Sequence, residues 1–393
     1  MKLGKLSLAA ILVGGLMTSS FAADTLAGAF KEGKVKGTLK SWYFDRDNGT
    51  TSASIVNIGM TLNYVTGSFH GFSMGVTAQS SASPFADDAA KTLFKGDEYG
   101  SGAVFSEAYL KYAMGKTNIK VGRQFIQTPL VGGSGSRFIK QSFEGALVVN
   151  SDLPDTLLAA GVVTKYQRRT DFSGNVGTFD NVGDDENAYT LLAINKSIPG
   201  VKLTAQYATL KKFADLYYGE VAYAGKTDTF AYGIAANYER KDPDSSAKAG
   251  TLYGAKLSLG YDALKCFVAY SRVTDDNDVK GNNGGVGLGG ATQAAYARGY
   301  QAKTGTYDRD NKAYSVDVNY NFKQYGLMLG ARYTSVDTNP LYSGGKDKIT
   351  LTDVYSKYKF TGALKGLYAD LSYQGYGADL DGHEIWFKAN YKF

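Results

Sequence analysis

The chain is poor in the residues on which secreted domains and enzymes usually depend. A single cysteine, Cys266 in LKCFVAY, rules out an intramolecular disulfide framework. Two histidines, His70 and His383, leave little material for a His-based metal site or for general acid–base catalysis. Beyond the N-terminus no stretch approaches the roughly 18 apolar residues of a membrane-spanning helix, so helical insertion is excluded. The excess of positive charge is small: 43 Lys and Arg against 37 Asp and Glu give +6, or +4 once the two N-terminal lysines are set aside. That is too mild to argue for nucleic acid.

What is present starts with the leader. Lys2 and Lys5 precede an apolar run from Leu6 to about Met17, and small residues end in Ser20-Phe21-Ala22. This is the pattern of a cleaved secretory signal peptide, residues 1–22, and the apolar run is too short to serve as an anchor helix. Residues 23–393 then read as one domain, without linker, long-period repeat or internal boundary.

The remaining sequence is rich in Tyr (30) and Gly (48) and alternates with period two along nearly its whole length, which predicts strands. Eighteen are expected, at about 34–44, 53–65, 71–80, 103–113, 117–124, 141–149, 156–167, 187–195, 200–210, 216–224, 228–239, 250–261, 264–273, 312–322, 325–335, 349–360, 366–376 and 382–393. Short connections (MGKT, KSIPG, GKTD, DALK, KQYG, TGALKG) alternate with long ones (81–102, 125–140, 168–186, 274–311, 336–348). Short turns at one end and long loops at the other predict an all-β fold, a transmembrane antiparallel β-barrel. Eighteen strands need eight turns and nine outer loops, which the reading supplies. Sixteen strands follow if the pair around 211–224 is misread.

The last strand, HEIWFKANYKF, places Ile385, Phe387, Ala389, Tyr391 and Phe393 on one face. A terminal aromatic with another two residues before it resembles the assembly signal of bacterial outer-membrane barrels, which makes Tyr391 and Phe393 the expected targeting residues. Outer-membrane lipid, lipopolysaccharide and the barrel-assembly machinery are then the expected partners. Tyr207, Phe230, Tyr232, Tyr238, Tyr253, Tyr261, Tyr320, Phe322, Tyr325 and Tyr333 share the apolar parity, as an aromatic girdle at the lipid boundary requires.

The opposite parity should line the lumen. It carries Lys36, Lys40, Lys111, Lys120, Lys165, Lys202, Lys256, Arg332, Lys357, Lys359, Lys388 and Lys392. Fewer acids share it: Glu107, Glu144, Glu239, Asp317, Asp353, Asp370 and Glu384. A basic surplus in a pore favours anions.

The third outer loop, 125–140, is unusual. Pro129 and several glycines allow a sharp reversal. Phe125, Ile126, Leu130, Val131, Phe138 and Ile139 need a surface to pack on, and Arg137 and Lys140 remain to meet a solute. An inward fold that narrows the barrel accounts for both features. Arg123, Pro129, Arg137 and Lys140 are therefore the expected constriction residues.

GRQ (122–124), TPL (128–130) and GSRFIKQSFEGALV (135–148) together resemble the third-loop signature of the OprD-type outer-membrane porins. TLAGAFKEGKVKGTLKSWYFDRD at the mature N-terminus and EAYLKY are also similar to members of that family. The resemblance implies an eighteen-stranded barrel whose basic ladder guides small carboxylate-bearing solutes such as amino acids or organic acids. It places Arg137 at the constriction and Lys36 and Lys40 at the first strand's basic positions. This chain uses Lys where better-known members use Arg, and a lysine is a point charge without a bidentate fork.

Rival readings find less support. Neither His70 nor His383 has a nucleophile or acid at useful spacing, so an enzyme is not expected, nor is a cofactor or metal. GVGLGG (285–290) lies in a long loop with no helix after it and is not a phosphate cradle. DDNDVKGNNG (275–284) and GDDEN (183–187) lack the spacing of a Ca²⁺ loop and read as solvated loops. A structural or adhesive barrel that does not conduct remains the alternative function, and both a single barrel and a homotrimer remain open.

Overall fold

The computed structural model describes residues 23–183, 186–280, 287–292, 295–301 and 305–393. Residues 1–22, the expected leader, and parts of the GDDEN, DDNDVKGNNG and GVGLGG stretches lie outside the described residues. After a short helix α1 (Leu26–Lys31), eighteen long strands follow in chain order. They are β1 (Lys34–Asp47), β2 (Ser52–Val65), β3 (Phe72–Ser81), β4 (Gly102–Met114), β5 (Thr117–Gln124), β6 (Phe143–Asn150), β7 (Thr156–Gln167), β8 (Ala188–Asn195) and β9 (Val201–Leu210). The second half adds β10 (Ala214–Lys226), β11 (Phe230–Pro243), β12 (Gly250–Tyr261), β13 (Leu264–Val273), β14 (Lys312–Phe322), β15 (Leu327–Asp337), β16 (Lys348–Lys359), β17 (Leu367–Ala378) and β18 (His383–Lys392). Each pairs antiparallel with its sequence neighbours, and β18 returns to β1 in register from Thr38↔Lys392 to Asp47↔His383, closing the barrel. One further three-residue strand, Phe179–Asn181, pairs only with the end of β7. The strand in doubt near 211–224 is real, so the count is eighteen and not sixteen.

Closure removes every sheet edge and satisfies the backbone internally, as a membrane-crossing sheet requires. Side chains alternate across the wall. The outward set includes Leu39, Ile58, Met60, Leu110, Val121, Leu191, Ile234, Leu257, Val316, Val354 and Phe387, all large, apolar and exposed. Phe230, Tyr253, Tyr261, Tyr320, Tyr333 and Tyr391 lie exposed on the same face. Such a continuous apolar outer band suits a barrel facing lipid.

Short turns close one end and nine loops close the other. Four loops matter below: L2 (82–101), which contains helix α2 (Asp88–Leu93), L3 (125–142), L4 (168–187) and L7 (274–311). Helix α2 is capped by Asp87, whose side chain accepts from Ala90 N at 2.7 Å. The cap fixes the short helix so that Ala90 and Phe94, both buried, face inward.

One expected parity fails. Between β6 and β7 the register jumps from Glu144↔Lys165 to Gly145↔Val163, leaving Thr164 as an extra, bulged residue. A bulge shifts every later side chain to the other face. Lys165 therefore lies outside, paired with Glu144 at 3.6 Å. Arg123 joins it, bonded to Glu144 at 3.1 Å and stacked on Phe179 at 4.1 Å. Arg123 alternates with the exposed Ile119 and Val121, so it belongs to the outer surface. Arg123, Glu144 and Lys165 are thus not lumen residues.

Candidate functional site

The inner face of β1 is not uniformly polar. Lys40 is followed by Trp42 and Phe44, both buried, and β18 places Trp386 beside them. L3 covers this aromatic surface. Phe138 is 1% exposed and sits edge-on to Trp42 at 5.3 Å, with Ile139 in the same cluster. The other end of L3 meets the opposite wall. Thr128 and Val131 close a tight turn around Pro129, and Leu130 N donates to Gln206 Oε1 of β9 at 2.9 Å. The apolar residues of this loop are its attachment points, one at each wall. Each buried ring contributes by area removed from water, on the order of 25 cal/mol per Å².

Two lysines fasten L3 by its backbone. Lys40 Nζ donates to the carbonyl of Phe138 and Lys388 Nζ to that of Ser136. Both ammonium groups also lie over aromatic faces, Lys40 at 4.3 Å from Phe138 and Lys388 at 4.3 Å from Trp42. Lys140 is held through its main chain, which exchanges bonds with Gln79 and accepts from Gln167. Its ammonium lies 4.0 Å from the centre of Phe125, and burial lowers its pKa.

Arg137 is inside the barrel but is not free. Its Nε is 3.0 Å from Asp97 Oδ2 and 3.4 Å from Glu98 Oε1, its guanidinium stacks on Trp386 at 4.1 Å, and its side chain is 11% exposed. Asp97 is shared by two more arginines, Arg46 of β1 at 3.2 Å and Arg169 of L4 at 2.5 Å. Arg46 also bonds Glu384 at 2.8 Å. Burial works to raise the Asp97 pKa, but the three guanidiniums outweigh it and hold the carboxyl well below its usual range. Glu98 moves the other way. Burial, reinforced by the Asp97 charge, pushes it up to about 7. Its Oε2 accepts from Phe138 N at 3.1 Å, tying L2 to L3.

L7 enters from the far side. Its Leu288 exchanges backbone bonds with Leu130 and Gly132 of L3. Tyr296 donates to Glu220 at 2.8 Å, Tyr300 N to Asp353 at 3.1 Å, and the Tyr300 ring stacks on Tyr355 at 4.0 Å. Sequence reasoning assigned no role to L2 or L7. Contacts between irregular loops have no period to detect, although the apolar residues of AKTLF (90–94) and the adjoining acid pair in GDEYG are the available signal.

The remaining lumen cations divide into two groups. Lys120 pairs with Glu107 at 3.1 Å, Lys202 with Glu220 at 2.5 Å and Arg332 with Asp317 at 2.9 Å. Lys111 faces Lys120 across the β4–β5 pair. By contrast, among the described residues Lys36, Lys40, Lys256, Lys357, Lys359, Lys388 and Lys392 have no carboxylate within ion-pair distance. Four of these stand on the paired strands β1 and β18.

This arrangement, a closed eighteen-stranded wall with loops folded into its interior, matches known structures. The chain is similar to Acinetobacter baumannii OccAB2 (21% identity, TM-score 0.78, covering 93% of this chain and 99% of that one). It is also similar to Pseudomonas aeruginosa OpdK solved with vanillate (16%, 0.77, 93% and 100%) and to P. aeruginosa OccK2 (OpdF) in complex with glucuronate (16%, 0.76, 93% and 97%). No curated protein sequence matches the chain. The family model for the outer membrane porin, OprD family, matches residues 27–374. The chain therefore belongs to the OprD family of bacterial outer membrane porins, which are channels rather than enzymes.

Proposed function

We propose that the barrel lets small solutes diffuse passively across the outer membrane and favours those bearing a carboxylate, such as amino acids and organic acids. One observation carries this reading: Lys36, Lys40, Lys388 and Lys392 share the inner face of β1 and β18, and none has a carboxylate partner among the described residues. Cations along one wall of a narrow, low-dielectric passage raise the local concentration of anions. Glu107, Glu220 and Asp317 are already taken by basic partners, so they cancel charge rather than attract cations.

Because a lysine presents a point charge and not a fork, the preference is for negative charge more than for one solute shape. The vanillate and glucuronate seen with two structural neighbours carry carboxylates, which supports the class of solute without transferring either molecule. The test is uptake of labelled gluconate and labelled glucose into proteoliposomes at low salt. Faster gluconate entry is expected. Equal or slower entry contradicts the preference, and no entry of either solute favours the non-conducting barrel.

A further inference from the structure

We propose that the outer wall at the base of L7 carries a binding site for the phosphate of an outer-leaflet glycolipid, built on Arg272 and Lys312. The site lies on the lipid side of the barrel, so it is independent of what the channel conducts. It gives a specific place to the lipopolysaccharide expected around such a barrel.

Arg272, near the end of β13, and Lys312, the first residue of β14, stand directly opposite each other where L7 leaves and re-enters the wall. Their neighbours Ser271, Val273 and Ala313 are buried and face inward. Strand alternation therefore turns both cations outward. Two positions away from L7 on the same strands lie Tyr270 and Tyr314, with ring centres 5.1 Å apart. Tyr253 of β12 is the register partner of Arg272, and Val268 and Val316 continue the face as exposed apolar surface. The two cations thus border the tyrosine row on its loop side, at the depth where lipid head groups meet a barrel.

Like charges directly opposite each other on paired strands are destabilising. Other outward cations near the loop end are neutralised within the chain. Arg123 and Lys165 share Glu144 at 3.1 and 3.6 Å, Arg240 meets Asp242 at 3.1 Å, and Lys348 stands 4.0 Å from Asp337. Arg272 and Lys312 differ: among the described residues neither side chain has an ion pair or a hydrogen bond. Asp337 is the register partner of Lys312, yet the lysine within its ion-pair distance is Lys348.

A cation pair left without an acid points to an anion supplied from outside the chain. A phosphate monoester carries about −1.5 to −2 charge and three strong acceptor oxygens, enough to neutralise both groups. A guanidinium takes two such oxygens as a fork, and an ammonium takes the third as a point charge. The tyrosines below offer an amphipathic surface to the rest of a lipid. Free phosphate would meet the two cations alone, which makes the lipid the better occupant.

The test uses the full-length protein in detergent and native mass spectrometry with lipid A, dephosphorylated lipid A or inorganic phosphate. The wild type should retain lipid A, and at equal concentration should retain neither of the others. Arg272→Gln with Lys312→Gln should weaken lipid A retention about tenfold, since charge-assisted hydrogen bonds are lost. Arg240→Gln removes a cation that already has a partner and should leave retention unchanged. Without lipid the double variant should melt no lower than the wild type, because it removes a like-charge pair. Arg272→Glu gives Lys312 a carboxylate of its own and should abolish retention in a folded barrel, which keeps the test valid if the double variant fails to assemble.

Equal lipid A retention in the wild type and in the folded variants overturns the site, as does an equal loss in Arg240→Gln. Retention of inorganic phosphate or dephosphorylated lipid A as strong as that of lipid A overturns the phosphorylated lipid as its occupant.

Discussion

Arg137 Nε lies 3.0 Å from Asp97 Oδ2, and the same carboxylate is met by Arg46 at 3.2 Å and Arg169 at 2.5 Å. The arginine placed at the narrowest point by its sequence context is therefore a structural tie between L2, L3, L4 and the barrel wall. Removing one partner of a buried ion pair leaves charge uncompensated, at a cost of about 3–5 kcal/mol. Asp97→Asn should lower the heat resistance of the folded barrel on gels and increase open-channel noise. Unchanged heat resistance would show that the other anchors of L3 hold it without the Asp97 cluster.

The two neighbouring acids make a pH signature. Asp97 has a depressed folded pKa, so its contribution is present above the ordinary Asp value of 3.8 and is lost only as pH falls through a much lower folded value. Glu98 has a raised one. Its contribution is fully present below 4.5 and is lost as pH rises through about 7. Wild-type thermal stability should thus decline between about pH 4.5 and 7 relative to Glu98→Gln, whose profile should be flatter across that window. Parallel profiles would remove Glu98 from the account. Asp97, Arg137, Lys388 and Lys40 are the charged groups that act on Glu98.

How much was legible follows from which residues repeat. The strands were readable because lipid on one side and lumen on the other impose period two, and β12, β13 and β14 (Gly250–Tyr261, Leu264–Val273, Lys312–Phe322) fall where alternation put them. Lys165 was misplaced because the bulge at Thr164 inserts one residue with no mark in composition. Trp42 and Phe44 were hidden for another reason: the inner face of β1 is apolar wherever L3 covers it. Asp97 and Glu98 could not be assigned, since their partners lie about 40 to 70 positions away and meet only in the folded neck.

The parity correction yields a contrast between variants. Lys40→Ala and Lys388→Ala should shift the reversal potential toward cations, and both should loosen L3 by freeing the Phe138 and Ser136 carbonyls. Lys165→Ala and Arg123→Ala should leave the potential unchanged, because both side chains lie outside the wall. A shift with Lys165→Ala equal to that with Lys40→Ala would contradict the assignment of faces.

L3 itself can be shortened. Deleting residues 129–136 removes the turn anchored at Gln206 but keeps Phe138 and Ile139 on the β1 and β18 side. Single-channel conductance should rise while the barrel still assembles. Unaltered conductance in an assembled barrel would mean that L7 alone sets the narrowest section.

The C-terminus closes the barrel physically. Phe393 exchanges backbone bonds with Gly37 at 2.9 and 3.1 Å, and a β-carbon at Gly37 would lie 2.1 Å from the Phe393 ring. The glycine is required by this close approach. Deleting Phe393 should lower the level of heat-modifiable barrel in outer-membrane fractions without changing synthesis, and Gly37→Val should do the same by displacing the ring. Normal levels in both variants would dissociate the terminal aromatic from assembly.

The proposed preference rests on the lysines of one wall, Lys36, Lys40, Lys388 and Lys392, which have no carboxylate partner among the described residues. The most direct measurement is the reversal potential of the purified protein across a planar bilayer in a KCl gradient, repeated at rising ionic strength. Anion selectivity is expected at low salt, weakening as the Debye length falls below about 10 Å. A further loss is expected when Lys40 and Lys388 are neutralised together. A cation-selective potential, or an anion-selective one indifferent to both salt and these two lysines, would contradict it.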